Sequence, residues 1–373
     1  MAANDLQYNA AGRSARLAAL ILTVIVAVAG AHAHSITEVA STIPSNGDIN
    51  PYGIAVVPTT TGSLVQGNIL VSNFNNSNNL QGTGTTIVQI SPSGNFSLFA
   101  QIDANNLPGS CPGGIGLTTA LVALKSGWVV VGSLPTTDGT AATAQAGCLL
   151  VLDSSGNVAE TFFGSLINGP WDMAAADGGN NVALFVSNVL NGTVAGGGSI
   201  VNQGTVVRLN LVVPKGSMPS LQSMTVIGSG FPERTDPAAL VIGPTGVGLS
   251  TGDGGKDGGG HQVLYVADSL NNRIAAISNP LTRNSSGGTG TTVTKGGSLN
   301  DPLGLIFANG NIVTVNGDDG YAVETTPDGH QIGKVLLDSS GNPPGAGALF
   351  GLVAVGQKLY FVDDAENDLK LFQ

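Results

Sequence analysis

The sequence predicts an all-β fold, a six-bladed β-propeller of four-stranded antiparallel blades, and three observations carry the prediction. Six times along the 373 residues, a turn containing Pro or a small residue gives way to a short apolar run, then to a second run ending in Asn, Asp or Ser. In the first unit, period-2 alternation between turn residues marks out four short strands. The last unit stops one strand short, and an extended segment ahead of the first unit can supply it.

Taken in chain order, residues 1–33 read as a secretory signal, because Arg13 and Arg16 precede an apolar stretch over 17–28 and an Ala31-His32-Ala33 cleavage pattern. That stretch is shorter than the ~20 residues of a membrane-spanning helix. The expected mature chain, 34–373, is therefore one exported propeller domain, secreted or periplasmic, with no stable membrane insertion.

Residues 36–43 are the expected outer strand of the last blade. Unit one should hold strands at 53–57, 68–73, 86–91 and 96–102. The first runs of the six units read Pro51-Tyr-Gly-Ile-Ala-Val, Pro112-Gly-Gly-Ile-Gly-Leu, Pro170-Trp-Asp-Met-Ala-Ala, Pro244-Thr-Gly-Val-Gly-Leu, Pro302-Leu-Gly-Leu-Ile-Phe and Leu349-Phe-Gly-Leu-Val-Ala. The longest step, Pro170 to Pro244, should hold a loop insertion, which surface loops tolerate. The last unit offers 351–355, 358–363 and 369–372, and pairing 36–43 with 369–372 would close the ring and remove two open sheet edges.

Leu264-Tyr-Val-Ala-Asp-Ser-Leu-Asn-Asn-Arg-Ile274 resembles the central strand pair of an NHL repeat, and Pro51-Tyr-Gly-Ile-Ala-Val with Gly67-Asn-Ile-Leu-Val-Ser-Asn73 fits the same pattern. The resemblance implies a propeller. The family it points to includes binding scaffolds and a few lyases and lactonase-like enzymes, so it leaves function open. Measured against gluconolactonase-like propellers, Trp171 stands where an Asn ligand is expected. No recognisable Glu or His set matches strictosidine-synthase-like or amidating-lyase-like enzymes.

Charge narrows the partners. Only 10% of residues are charged, and 13 Lys and Arg stand against 24 Asp and Glu, a net charge of −11. With no basic stripe to neutralise phosphates, nucleic acid and anionic membranes are poor partner candidates. A protein, peptide or carbohydrate ligand remains.

Candidate site residues come from repeat positions. The second runs end at Asn73, Ser133, Asn188, Asp268, Asn316 and Asp363, which either cap the local turns through backbone N–H groups or form a ring toward a ligand. Asp172 breaks a position held by Gly53, Gly114, Gly246, Gly304 and Gly351. It is expected at the mouth of the central channel beside Trp171, with Tyr52 and Phe350 in the same register. A carboxylate among aromatic faces suits a small polar or sugar-like ligand, and the alternative is a carboxylate bonded to turn amides.

The same face should carry long loops in units one to three (74–85, 134–147, 189–204). Units four to six offer acidic ones, with Asp268, Asp318, Asp319, Asp363, Asp364, Glu366 and Asp368 as candidate oxygen ligands for Ca²⁺. Solvated carboxylates are the other reading. The glycine-rich stretch 253–261 reads as a mobile hairpin on the opposite face. No phosphate loop or zinc-type cluster is present, and His261 and His330 fall in hairpins of different units.

Cys111 and Cys148 both belong to unit two. Strands two apart lie ~9.5 Å from each other, beyond the ~7 Å Cα separation a bridge allows, so a disulfide requires the 134–147 loop to fold inward over strand two. That bridge is the expectation, and two free thiols are the alternative. The functional expectation is a non-catalytic binding scaffold using the loop-rich face. The rival is a metal-assisted lyase or lactonase with Asp172 as ligand or base.

Overall fold

A computed structural model describes residues 34–237, 239–250 and 262–373. The signal assigned to 1–33 and the hairpin at 253–261, with His261, lie outside the described residues.

Six small antiparallel sheets form the ring. Strand β1 (Ile36–Ser41) comes first, and blade one follows as β2 (Ile49–Val56), β3 (Ile69–Asn75), β4 (Thr86–Ile90) and β5 (Phe96–Gln101). Blade two is β6 (Leu117–Ala123), β7 (Val129–Ser133), β8 (Cys148–Leu152) and β9 (Val158–Phe162). Blade three has five strands: β10 (Pro170–Asp177), β11 (Asn181–Asn188), β12 (Val201–Val212), β13 (Ser220–Asp236) and β14 (Leu240–Ile242), with a one-turn helix α1 (Thr193–Gly196) after β11. Blade four is β15 (Pro244–Leu249), β16 (Val263–Asp268), β17 (Arg273–Ser278) and β18 (Thr291–Lys295). Blade five is β19 (Pro302–Ala308), β20 (Asn311–Asn316), β21 (Tyr321–Thr325) and β22 (Gln331–Leu336). Blade six is β23 (Leu349–Val355), β24 (Lys358–Asp363) and β25 (Asp368–Phe372). β1 lies antiparallel to β25, with Ile36 opposite Phe372 and Ser41 opposite Asp368.

The blades adhere because both faces of each inner strand are apolar. Ala55, Leu70 and Ile87 of blade one interlock with Leu121, Val131 and Leu150 of blade two. Equivalent layers fill the next four interfaces. Between blades six and one, Val362, Leu369 and Leu371 pack with Ile54, Val71 and Val88. Buried methyl-rich faces of this kind supply the driving force, ~25 cal/mol per Å² removed from water.

The repeat glycines follow from the crowding of inner strands at the axis. A Cβ on Gly304 would collide with the Phe350 carbonyl, and one on Gly351 with the Tyr52 carbonyl. Blade two departs from the expected frame. Its inner strand starts at Leu117, opposite Ser133, so Leu117 occupies the Pro position. Gly114 lies upstream in a turn with φ +101°. Counting from Leu117, Thr119 stands at the glycine position, and Thr118 presents the carbonyl that Gly53 packs against.

That shift explains how the cysteines meet. Cys111 and Cys148 form a disulfide with Cα atoms 5.1 Å apart. The residues after Cys111 cross the ends of strands two and three: Gly113 N–H bonds the Ala146 carbonyl (2.9 Å), and Ser133 Oγ donates to the Gly114 carbonyl (2.9 Å). The reach comes from this approach segment, where the inward fold had been expected of the 134–147 loop.

The blade-three insertion is also more than a loop. β13 runs 17 residues, its end pairs with β14, and Ala239, Leu240, Val241 and Ile242 pack into the axial apolar cluster.

Candidate functional site

The axis has two ends with different chemistry. On the loop-rich face, Tyr52 (2% exposed), Trp171 (3%) and Phe350 (1%) are buried. Tyr52 stacks on Phe350 at 3.8 Å and on Phe74 at 4.5 Å between ring centroids. Trp171 Nε1 donates to the Val241 carbonyl (3.2 Å), tying the aromatic layer to β14. The loops of blades one to three join this cap, since Thr136 N–H bonds the Gly82 carbonyl and Gln81 Nε2 reaches the Pro237 carbonyl. The three aromatics therefore floor a covered end and do not line an open mouth.

The inner strands enclose a channel of about 360 Å³ that reaches the strand one to strand two hairpins. Leu121, Met173, Val247, Leu305 and Leu352 form much of its wall, Lys125 and Asp177 lie toward the hairpins, and Asp172 and Thr119 line its inner part. The openness is thus on the face opposite to that expected.

Asp172 is half-buried and shared between two blades. Its N–H donates to Ser187 Oγ (3.1 Å), and its Oδ2 accepts the Val247 N–H (2.8 Å). Desolvation pushes its carboxyl up to about 7, against the opposing pull of the Val247 and Met173 amides. Blade three tolerates a side chain at the glycine position because this one bonds the neighbouring blade's backbone. Asp172 lies at the inner part of the channel and not at its mouth, and the amide it accepts from belongs to a strand of the next blade and not to a turn.

The ring of residues at the ends of the second strands is buried and locally bonded. Asn188 Oδ1 accepts the Asn168 N–H (3.2 Å). Asn316 Nδ2 donates to the Ser298 carbonyl (2.8 Å) and to Asp319 (2.9 Å). Asn73 donates to the Thr42 carbonyl and to Thr86. Of the three, only Asn188 accepts a backbone N–H, while Asn73 and Asn316 donate to carbonyls and side chains of neighbouring segments, and none of the three lines the channel.

The proposed calcium ligands are not gathered into one donor set. Asp268 is fully buried and held by Arg273 Nε and Nη2 (2.8 and 2.7 Å) with Asn271. Asp363 pairs with Lys370 (2.7 Å), and Asp319 faces Lys334 (3.6 Å). Asp318 is exposed, and Asp364 is pushed up to about 8 by burial and by Asp363. No group of three or more potential ligands comes together among the described residues.

Two carboxyls escaped the sequence reading. Asp301, in the turn before β19, is pushed up to about 7 by burial and by Asp318 and Asp236, with Arg234 opposing. Glu233 on β13 is fully buried, and neither of its oxygens makes a hydrogen bond. The nearby Thr193 hydroxyl is committed to the Val189 carbonyl (2.7 Å). Desolvation raises Glu233 from 4.5 to about 8, with Thr193 and the Asn191 amide pulling weakly the other way. Nothing local in the sequence marks it.

Because the folded pKa lies above the unfolded one, Glu233 contributes stability that is present below about pH 4.5 and lost as pH rises to about 8. Glu233→Gln is therefore expected to be neutral at pH 4 and more stable than the parent at pH 9 by on the order of 2–4 kcal/mol. Thermal melts of both proteins across that range check it, and a variant destabilised equally at both ends would contradict the buried-acid assignment.

No family model matches this chain, and no curated protein is similar to it. Solved structures share its architecture. A luciferin-regenerating enzyme is 11% identical, with 91% of this chain and 95% of that one covered at a TM-score of 0.54. An oxidoreductase described as a glucose dehydrogenase from Thermus thermophilus is 11% identical, covering 91% and 100% at 0.51. A virginiamycin B lyase from Staphylococcus aureus is 12% identical, covering 91% and 99% at 0.48. At 11% identity the first two likenesses show the fold alone.

Proposed function

We propose that this chain is an exported, NHL-like propeller that binds a small, mainly apolar ligand in the axial channel, entering from the hairpin face, with Asp172 fixing its polar end. The observation that carries this reading is one half-buried carboxyl at the inner part of a channel lined mainly by aliphatic and small residues, whose size falls within the range of small-molecule pockets. Aromatic stacking of a sugar on Trp171, Tyr52 and Phe350 is set aside because those rings are packed under β14.

The test is titration of a neutral aliphatic probe, 1-hexanol, into the intact protein and into Leu352→Trp. The indole is expected to fill the channel, weakening binding at least tenfold while the melting curve stays cooperative. Equal binding by both proteins would place the site elsewhere.

A lyase or lactonase reaction is the second reading. A carboxyl near 7 is poised for general acid–base work at neutral pH. Turnover of a small lactone that disappears in Asp172→Asn would raise it above the first.

A further inference from the structure

We propose that the axial channel is selective for an alkylammonium ion, its apolar chain along the channel wall and its cationic nitrogen against Asp172 and Thr119; this rests on the channel being the ligand site. The argument is an account of donors and acceptors. At the inner part of the channel the donors are already spent inside the protein: Val247 N–H on Asp172 Oδ2, Asp172 N–H on Ser187 Oγ, and Ser187 Oγ on the Thr245 carbonyl (2.6 Å). What remains is mainly acceptor capacity. The Asp172 carboxylate keeps lone pairs beyond the one used by Val247, and the buried, unpartnered Thr119 hydroxyl can accept or donate.

An ammonium group offers three donors and no acceptor, which is the complement of this inventory. A ligand carboxylate would find only the Thr119 hydroxyl as a donor there and would face a like charge. A hydroxyl would use the acceptors without supplying a counter-charge.

Charge agrees with the hydrogen-bond account. The charged groups lining the channel besides Asp172 are Lys125 and Asp177, and these bond each other: Lys125 N–H donates to Asp177 Oδ2 (2.6 Å) and Lys125 Nζ to the Asp177 carbonyl (2.9 Å). From the packed elements, β11 presents Ser187 and β15 Val247 to Asp172, while β2, β6, β19 and β23 line the channel with apolar residues, glycine and Thr119. Desolvation raises Asp172, and no cation is among the causes of its shift. An ammonium ion would supply the missing positive partner in a low-dielectric site, where charge-assisted hydrogen bonds are strongest.

Binding must then favour the ionised carboxyl. With the free group near 7, affinity is expected to rise about tenfold between pH 6 and pH 8.

Calorimetric titration of the intact protein with hexylammonium, 1-hexanol and hexanoate decides. At pH 8 hexylammonium should bind at least tenfold more tightly than 1-hexanol, and hexanoate should bind more weakly than either. Asp172→Asn can keep the Val247 bond through its amide oxygen, so it should remove the ammonium preference and the pH dependence, bringing hexylammonium to or below the affinity of 1-hexanol in the same variant. If 1-hexanol binds and hexylammonium gains nothing, or if the affinity order is reversed, the ammonium assignment falls and the channel reading stands. If none of the three binds, both fall.

Discussion

Deleting residues 35–41 is expected to make the protein associate and to lower its melting temperature by roughly 5–10 °C. β1 supplies the outer strand of blade six, bonded along β25 from Ile36 to Ser41. Its flanks hold on further: Ser35 N–H and the Gln373 carbonyl bond at 2.9 Å, and Thr42 bonds the Asn367 carbonyl through both its N–H (2.9 Å) and its hydroxyl (2.8 Å). At ~1 kcal/mol for each ladder bond the loss reaches several kcal/mol. For a chain of this size, ~2 cal/mol/K per residue of unfolding entropy turns that into the stated fall. The larger consequence is colloidal, because β25 would become a bare edge open to pairing with a second chain. Size-exclusion chromatography and thermal melts of the deletion variant check both halves. A monomer with unchanged Tm would mean that the pairing of the chain ends does not stabilise the ring.

How much of this was legible follows from which interactions are local. Strand spans in blade one fell within a few residues of expectation because alternation and turn residues mark them within each hairpin, as in 96–102 against Phe96–Gln101. The 36–43 segment stood out because the last unit visibly lacked a strand. Blade two misled because Pro112-Gly-Gly-Ile-Gly-Leu imitates the start of a first strand. The residues that form β6, Leu117-Thr-Thr-Ala-Leu, carry no Pro or Gly to announce it.

The burial of Trp171 could not be read, since its partner Val241 lies 70 residues away on a strand that continues from β13. With it went the choice of which end of the axis is open. Asp172 was found because it violates a repeat. Asp301 and Glu233 have no such signature, and their shifts arise from desolvation that only the assembled insertion and loops impose.

Replacing the cysteines should cost the chain more than any single core truncation at the protein's rim. The bridge closes a segment with a sequence separation of 37 residues, for which the chain-entropy account gives about 4 kcal/mol. Spread over the unfolding entropy of a chain this long, that is roughly a 5 °C fall in Tm. The effect should also be local. Cys148 is fully buried opposite Ser133, and the segment after Cys111 holds Leu134 and Ala146 through backbone bonds and Ser133 through its hydroxyl. Without the bridge, 111–116 and 134–147 lose their common anchor, so amide exchange should accelerate there while β7 and β8 stay protected. The Cys111→Ser, Cys148→Ser double variant, melted beside the oxidised parent and mapped by hydrogen exchange, tests both claims. Thiol titration of the denatured, unreduced parent is expected to find no reactive thiol from this pair. Two thiols per chain, or a double variant as stable as the parent, would overturn the assignment of the bridge as the staple of blade two.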